Sequence, residues 1–142
     1  AIRSVADMLE MPYIRAFEVA SFYTMYNLAP VGDHLVGVCT TTPCWLRGSD
    51  AVMAACRKSL GIQDGETTED GRITLIEVEC LGACVNAPMM KIGDDYFEDL
   101  DADSTVKILE TLQTGSNPTT GPQINRQTSA PEGGPTTLRE EA

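Results

Sequence analysis

What this sequence lacks narrows it before any motif is considered. No apolar run approaches the ~18 residues that cross a bilayer, and no secretory leader pattern opens the chain, so any membrane association is expected to run through partners. Basic residues are scarce. Ten Lys and Arg against 21 Asp and Glu leave a net charge of −11, which argues against nucleic acid, because phosphate neutralisation needs a basic face. The single histidine, His34, has no paired His or Cys at ligand spacing and reads as a surface residue. There is no G-x-G-x-x-G and no phosphate-cradling loop, so no nucleotide site is expected on this chain alone. No internal repeat is visible.

A length of 142 residues favours one domain, large enough to fold without disulfides. The acidic excess is concentrated: twelve Asp and Glu lie between Asp64 and Asp103 against Arg72 and Lys91. Most of these read as a solvated surface. Their functional reading is that negative charge near a redox centre opposes adding an electron and lowers its potential.

Residues 1–30 are helical in pattern. Ile2, Val5, Ala6 and Leu9 begin abruptly at helical spacing, as though continuing a longer helical region. After Pro12, placed to suit a helix's first turn, a second amphipathic stretch carries Ile14, Phe17 and Ala20. Phe22, Tyr23, Met25 and Tyr26 are left needing cover. These pieces look like the end of a helical bundle.

The pattern changes in residues 31–114. Leu35–Cys39 is short, apolar and β-branched, a buried strand. Trp45–Leu60 reads as one helix with Met53, Cys56 and Leu60 on a face and Gly61 as its stop. Ile73–Val78 is a second strand, so the span from Cys39 to Val78 forms a βαβ unit, expected to be right-handed. Met89–Ile92 and Tyr96–Glu98 flank Gly93-Asp94-Asp95 as a hairpin. Val106, Leu109 and Leu112 mark a last helix, capped by Asp or Ser near 103–104 and stopped by Gly115. The fold class is α/β, a small mixed sheet with flanking helices. Residues 115–142 form a tail in which Gly, Pro, Ser and Thr supply fifteen positions and only Ile124 and Leu138 are large and apolar. Such a segment cannot fold by itself; it is either disordered or an extended arm ordered by a partner.

Four of the five cysteines fall in two short loops, Cys39-Thr-Thr-Thr-Pro-Cys44 and Cys80-Leu-Gly-Ala-Cys84. Disulfides fit poorly, with no secretory context and an odd thiol left over. A thioredoxin-type dithiol needs C-x-x-C, which neither loop has. Zinc remains in contention, the spacings lying at the edge of its range. A [2Fe–2S] cluster is longer than one ion, and two loose loops, one per iron, match its shape. The small Thr40, Thr41, Thr42, Gly82 and Ala83 let backbone N–H groups approach the sulfurs, and Gly82 permits a turn forbidden to other residues.

The run Val38-Cys-Thr-Thr-Thr-Pro-Cys44, with Leu46-Arg47 and Ser49-Asp50, resembles the thioredoxin-like [2Fe–2S] subunits of respiratory complex I, the NADH:quinone oxidoreductases. So do Thr74-Leu-Ile-Glu-Val-Glu-Cys-Leu-Gly-Ala-Cys-Val-Asn-Ala-Pro-Met89, Glu66-Thr-Thr68 and Tyr96-Phe-Glu-Asp-Leu100. Glu18–Tyr26 upstream and Ser129–Gly134 downstream fit the same family, so the resemblance covers almost the whole chain. It implies a thioredoxin-like [2Fe–2S] ferredoxin domain in which Cys39, Cys44, Cys80 and Cys84 ligate the irons of one cluster. It also implies a partner subunit holding FMN and NADH within a larger membrane complex, with the cluster exchanging single electrons with the flavin. The chain would then be a non-autonomous part of an oxidoreductase and translocase, with no catalytic residue of its own. It would lie peripherally on the cytoplasmic side of a bacterial inner membrane or the matrix side of the mitochondrial one. Two alternatives stand beside this: the equivalent diaphorase subunit of an NAD-linked hydrogenase or formate dehydrogenase, and a zinc-stapled interaction module without redox role.

Other residues carry plainer expectations. Cys56 reads as a buried free thiol. Arg47 is either an offset to the cluster's charge or an exposed helix arginine. Trp45 either shields the cluster or packs in the helix's first turn. Pro88 falls where the resemblance places a cis-proline, and one of Met89 and Met90 is expected in the core.

Overall fold

The computed structural model describes residues 1–134 and 137. It divides into two compact units, Ala1–Val31 and Gly32–Ala142. In the first unit, α1 (Ile2–Met8) and α2 (Tyr13–Phe22) are joined across Pro12, which sits at the N-cap of α2. Arg3 lies over the Tyr13 ring at 5.1 Å, and Tyr13 stacks on Phe17 with centroids 5.9 Å apart. Helix α2 buries none of its residues, and Phe22 and Met25 are 78% and 75% exposed. The apolar face read from the sequence is there and open.

The second unit is built on one five-stranded sheet of order β2-β1-β3-β4-β5. Strands β1 (His34–Cys39) and β2 (Ile73–Val78) run parallel in register Val36↔Leu75 and Cys39↔Val78. Strand β3 (Met90–Ile92) is antiparallel to β1, and β4 (Asp95–Glu98) to β3 through a turn at Gly93, whose φ is 60°. The stretch between β1 and β2 holds two helices, not the single Trp45–Leu60 helix expected. Pro43 starts α3 (Thr42–Leu46) early, and Gly48, at φ 99°, breaks the chain before α4 (Ser49–Leu60). His34 opens β1, half-buried, its N–H donating to the Arg72 carbonyl at 2.8 Å.

Helix α5 (Ala102–Gln113) starts one turn earlier than its apolar pattern implied. Asp101, rather than residues 103–104, is the cap: its carboxylate accepts from the Ser104 N–H at 2.7 Å while Ser104 Oγ accepts from the Asp101 N–H at 2.9 Å. At its far end the Arg72 guanidinium donates to the carbonyls of Leu112 and Gln113, satisfying acceptors every helix C-terminus leaves open. Helices α4 and α5 cover the sheet over a core of Val36, Val38, Leu75, Met90, Phe97, Leu109 and their neighbours. Burying each such side chain is worth about 1.5–3 kcal/mol.

Strand alternation then separates two environments. Val36, Val38 and Met90 face the helical core, whereas Cys39 and Met89, one residue out of step, join Cys44 and Ala87 in a second buried cluster. Both methionines are therefore buried, in different places. The tail is ordered in part on its own chain: β5 (Gly121–Pro122) runs parallel to β4, paired Phe97↔Gly121 and Glu98↔Pro122. Ile124 is 37% exposed, and Leu138 lies outside the described residues.

Candidate metal centre

Two adjacent parallel strands end on the same edge of a sheet, and that brings the cysteine loops together. Cys39 closes β1 opposite Val78, and Cys80 follows two residues past the end of β2. Cys44 is carried in α3, just after Pro43. Cys84 opens a single 3₁₀ turn, Cys84–Asn86, which leads to a cis Ala87–Pro88 bond and into β3.

The thiols differ in setting. Cys39 and Cys44 are each 1% exposed, whereas Cys80 and Cys84 are exposed and their sulfurs stand 3.3 Å apart. Burial, reinforced by the neighbouring Cys39 thiol, pushes Cys44 up to about 12, with the Met89 N–H pulling weakly the other way. The Gly82 N–H, 3.4 Å from Cys80 Sγ, holds that thiol below its ordinary value, helped by a hydrogen bond to Cys84. Cys84 is raised, first by its hydrogen bond to Cys80 and then by burial, with Cys39 also acting on it. Thr41 Oγ1 lies 3.3 Å from Cys39 Sγ, and the same side chain helps to hold Cys80 below its ordinary value, so it acts on both loops. All four predicted ligands are thus brought to one place as two pairs. Among the described residues no three His, Cys, Asp or Glu side chains gather as one single-ion site.

The donor set suits an iron–sulfur cluster. It offers four thiols in two pairs, with the Gly82 N–H 3.4 Å from one sulfur and the Met89 backbone favouring the anionic form of another, as anionic sulfurs require. Gly82 stands at φ 85°, the left-handed conformation that lets its N–H face Cys80. Cys56, fully buried in the other cluster and pushed to about 12 by burial, takes no part. Trp45 does not pack as expected; it is 57% exposed beside Leu46 at 71%. Arg47 is exposed at the C-cap of α3, as one of its two readings had it, and in addition donates from Nε to the Ala87 carbonyl of the second loop at 3.4 Å.

Sequence reasoning missed three other residues that hold this site. Tyr96 Oη donates to the Leu81 carbonyl at 3.0 Å. Asn86, 1% exposed, donates from Nδ2 to Glu98 Oε2 and to the Thr128 carbonyl. Arg126 donates to the Val85 carbonyl at 3.1 Å and to Asn86 Oδ1 at 3.3 Å, and its guanidinium lies 3.4 Å from Asp99. The one available signal was that Arg126 is the sole basic residue between Gly115 and Gly134.

The model of the family described as thioredoxin-like [2Fe–2S] ferredoxin matches residues 1–113. The chain is 60% identical over 113 residues to a curated subunit of the NADH-quinone oxidoreductase of Rickettsia bellii, covering 80% of this chain and 68% of that protein. It is 50% identical over 140 residues to the mitochondrial NADH dehydrogenase (ubiquinone) flavoprotein 2 of Dictyostelium discoideum, covering 99% of this chain and 57% of that one. The chain therefore spans between just over half and about two thirds of these curated relatives. Its fold is similar to part of an NAD⁺-reducing [NiFe]-hydrogenase crystal structure, with a TM-score of 0.71 and 21% identity over 80% of this chain and 20% of that one.

Proposed function

The chain belongs to the thioredoxin-like [2Fe–2S] ferredoxin family, and from that membership we propose that it serves as the electron-transfer subunit of an NADH:quinone oxidoreductase. Cys39, Cys44, Cys80 and Cys84 would hold one [2Fe–2S] cluster, each loop supplying the two thiolates of one iron. The observation that carries this reading is the meeting of four thiols from two loops distant in sequence at one edge of the sheet, with Thr41 beside them. When bound, such a cluster supplies a one-electron site.

The chain's own residues make that site selective and stable. Cys44 is held as a thiol by burial at neutral pH, and ligation to a metal would release its proton to solvent. The Gly82 and Met89 N–H groups favour anionic sulfur, and the Thr41 hydroxyl sits between the pairs. Glu79, next to Cys80, opposes further negative charge there. Hydride chemistry falls to a partner carrying FMN and NADH, since this chain shows no phosphate-binding motif. Among the described residues no helix is long and apolar enough to cross a membrane. The proposed placement is peripheral, through partner subunits, on the cytoplasmic face of a bacterial inner membrane or the matrix face of a mitochondrial one.

The test is the identity of what purifies with the chain from its native source. A subunit carrying flavin and NADH motifs, together with membrane quinone-reducing subunits, is the expected result. A hydrogenase or molybdenum subunit in their place would move the chain to the diaphorase reading.

A further inference from the structure

The second cysteine loop poses a mechanical problem. Residues 79–87 have no strand and only the 3₁₀ turn Cys84–Asn86, yet they carry two exposed thiols that must keep a fixed spacing. A loop without its own ladder is held by whatever takes its carbonyls. Here Tyr96 takes Leu81, Arg47 takes Ala87, and Arg126, from the tail, takes Val85, the residue directly after Cys84.

Arg126 is itself seated with unusual care for a Gly/Pro-rich segment. Its side chain is 9% exposed and that of its counter-charge, Asp99, is 3% exposed, with 3.4 Å between them. Asp99 adopts φ 53°, and its N–H donates to the Asn86 carbonyl at 2.7 Å, so the acid is fixed to the same loop. No described residue hydrogen-bonds the Asp99 carboxylate. Asn86 closes the arrangement, accepting from Arg126 at 3.3 Å and donating to the Thr128 carbonyl at 2.9 Å. The tail therefore grips the turn after Cys84 at residues 126 and 128.

Stability does not account for this pair. Burying two charges commonly costs as much as their attraction returns, and burial raises the Asp99 carboxyl despite Arg126 and Arg47 nearby. What the pair does provide is one fixed direction for the Arg126 fork.

We propose that the C-terminal segment is an internal strap of the cluster site, with Arg126, seated by Asp99 and Asn86, acting as a positioning residue for the Cys80–Cys84 pair. This rests on the [2Fe–2S] reading above and deepens it. In this role the tail acts on its own chain, fixing the geometry of two ligands from about 40 residues away.

The experiment compares Arg126→Met, Arg126→Lys and Arg126→Met/Asp99→Asn with the unaltered chain, each in the intact complex purified anaerobically. Three readouts are taken: thermal unfolding, the EPR g-values of the reduced cluster, and the rate of iron loss to a chelator. Arg126→Met is expected to shift the g-values and to speed iron loss roughly tenfold or more, the scale of effect of losing an outer partner of a metal ligand. The double variant is expected to regain thermal stability, because the buried charge has gone, without regaining the cluster signature, because the Val85 carbonyl still lacks its donor. If Arg126→Met fails to assemble, Arg126→Lys, which keeps the charge but not the fork, carries the same expectation in smaller measure. Unaltered g-values and iron loss in the assembled variants would overturn the inference, as would a double variant that restores the signature along with stability. Absence of a [2Fe–2S] signal from the unaltered chain would instead remove the reading beneath it.

Discussion

The two cysteine pairs present the same chemistry and are held by opposite means. Cys39 and Cys44 sit at the end of a strand and inside a helix, each 1% exposed, so hydrogen-bonded backbone and packing place them. Cys80 and Cys84 are exposed on a loop whose carbonyls are taken by Tyr96, Arg47 and Arg126. The first pair should fail only when the core fails. The second should loosen when any one side chain is removed, with the core intact.

The largest expected contrast sets both pairs against the fifth thiol. Cys44→Ser and Cys80→Ser should each reduce bound iron from about two per chain to background, despite their unequal burial, whereas Cys56→Ser, in the other core cluster, should leave it unchanged. Iron and sulfide analysis decides this, and equal loss in all three would break the ligand assignment.

Next comes the pairs' behaviour without metal. Moving Cys44 from 9.0 to about 12 cuts its thiolate fraction roughly a thousandfold at neutral pH. Cys80, with its thiolate favoured by the Gly82 N–H, ionises at a lower pH than an ordinary thiol. In the cluster-free chain, iodoacetamide followed by peptide mapping should label Cys80 first, with labelling already rising below the usual thiol range, and Cys44 far later, alongside the buried Cys56. Simultaneous labelling would erase the distinction between backbone-held and side-chain-held pairs.

Two glycines sharpen it further. A Cβ at Gly37 in β1 would meet Val78 Cγ1 at 2.9 Å, so Gly37→Ala should cost roughly 1–3 kcal/mol of stability through overpacking. Gly82 at φ 85° has open space around it, so Gly82→Ala pays backbone strain of about 1–2 kcal/mol and re-aims the N–H on Cys80. Denaturant unfolding and EPR together should show Gly37→Ala lowering stability with little change of signal, and Gly82→Ala changing the signal.

The smallest effect serves as the control. Asp101→Ala removes the α5 cap, for about 1 kcal/mol, and should leave the cluster signal alone. The Asp101 carboxyl is held low by the Ser104 N–H. Its stabilisation is therefore present above the ordinary carboxylate value of 3.8 and lost as pH falls through the depressed one. An Asp101→Ala chain should consequently lose its stability deficit in strong acid, as measured by unfolding against pH.

Much of this was readable from residues, and the unread part has a common cause. β2 was legible to the residue because Ile73–Val78 is a largely apolar, β-branched run, and the ligands because cysteine is rare and their spacing is specific. The break at Gly48 was not, since periodicity alone cannot show a left-handed residue. The cap moved to Asp101 because several Asp and Ser crowd the start of α5 and only geometry selects one. Arg126 and Asn86 were invisible for a deeper reason. Their roles depend on partners about 40 residues distant, several of them carbonyls, and a carbonyl has no letter in a sequence.

Metal and sulfide analysis of the anaerobically purified protein, joined to EPR after strong reduction, bears most directly on the central assignment. Iron and inorganic sulfide in equal amounts, no stoichiometric zinc, and a [2Fe–2S] signal are the expected result. Zinc without sulfide, and no such signal, would contradict it and leave the four thiols as a structural staple.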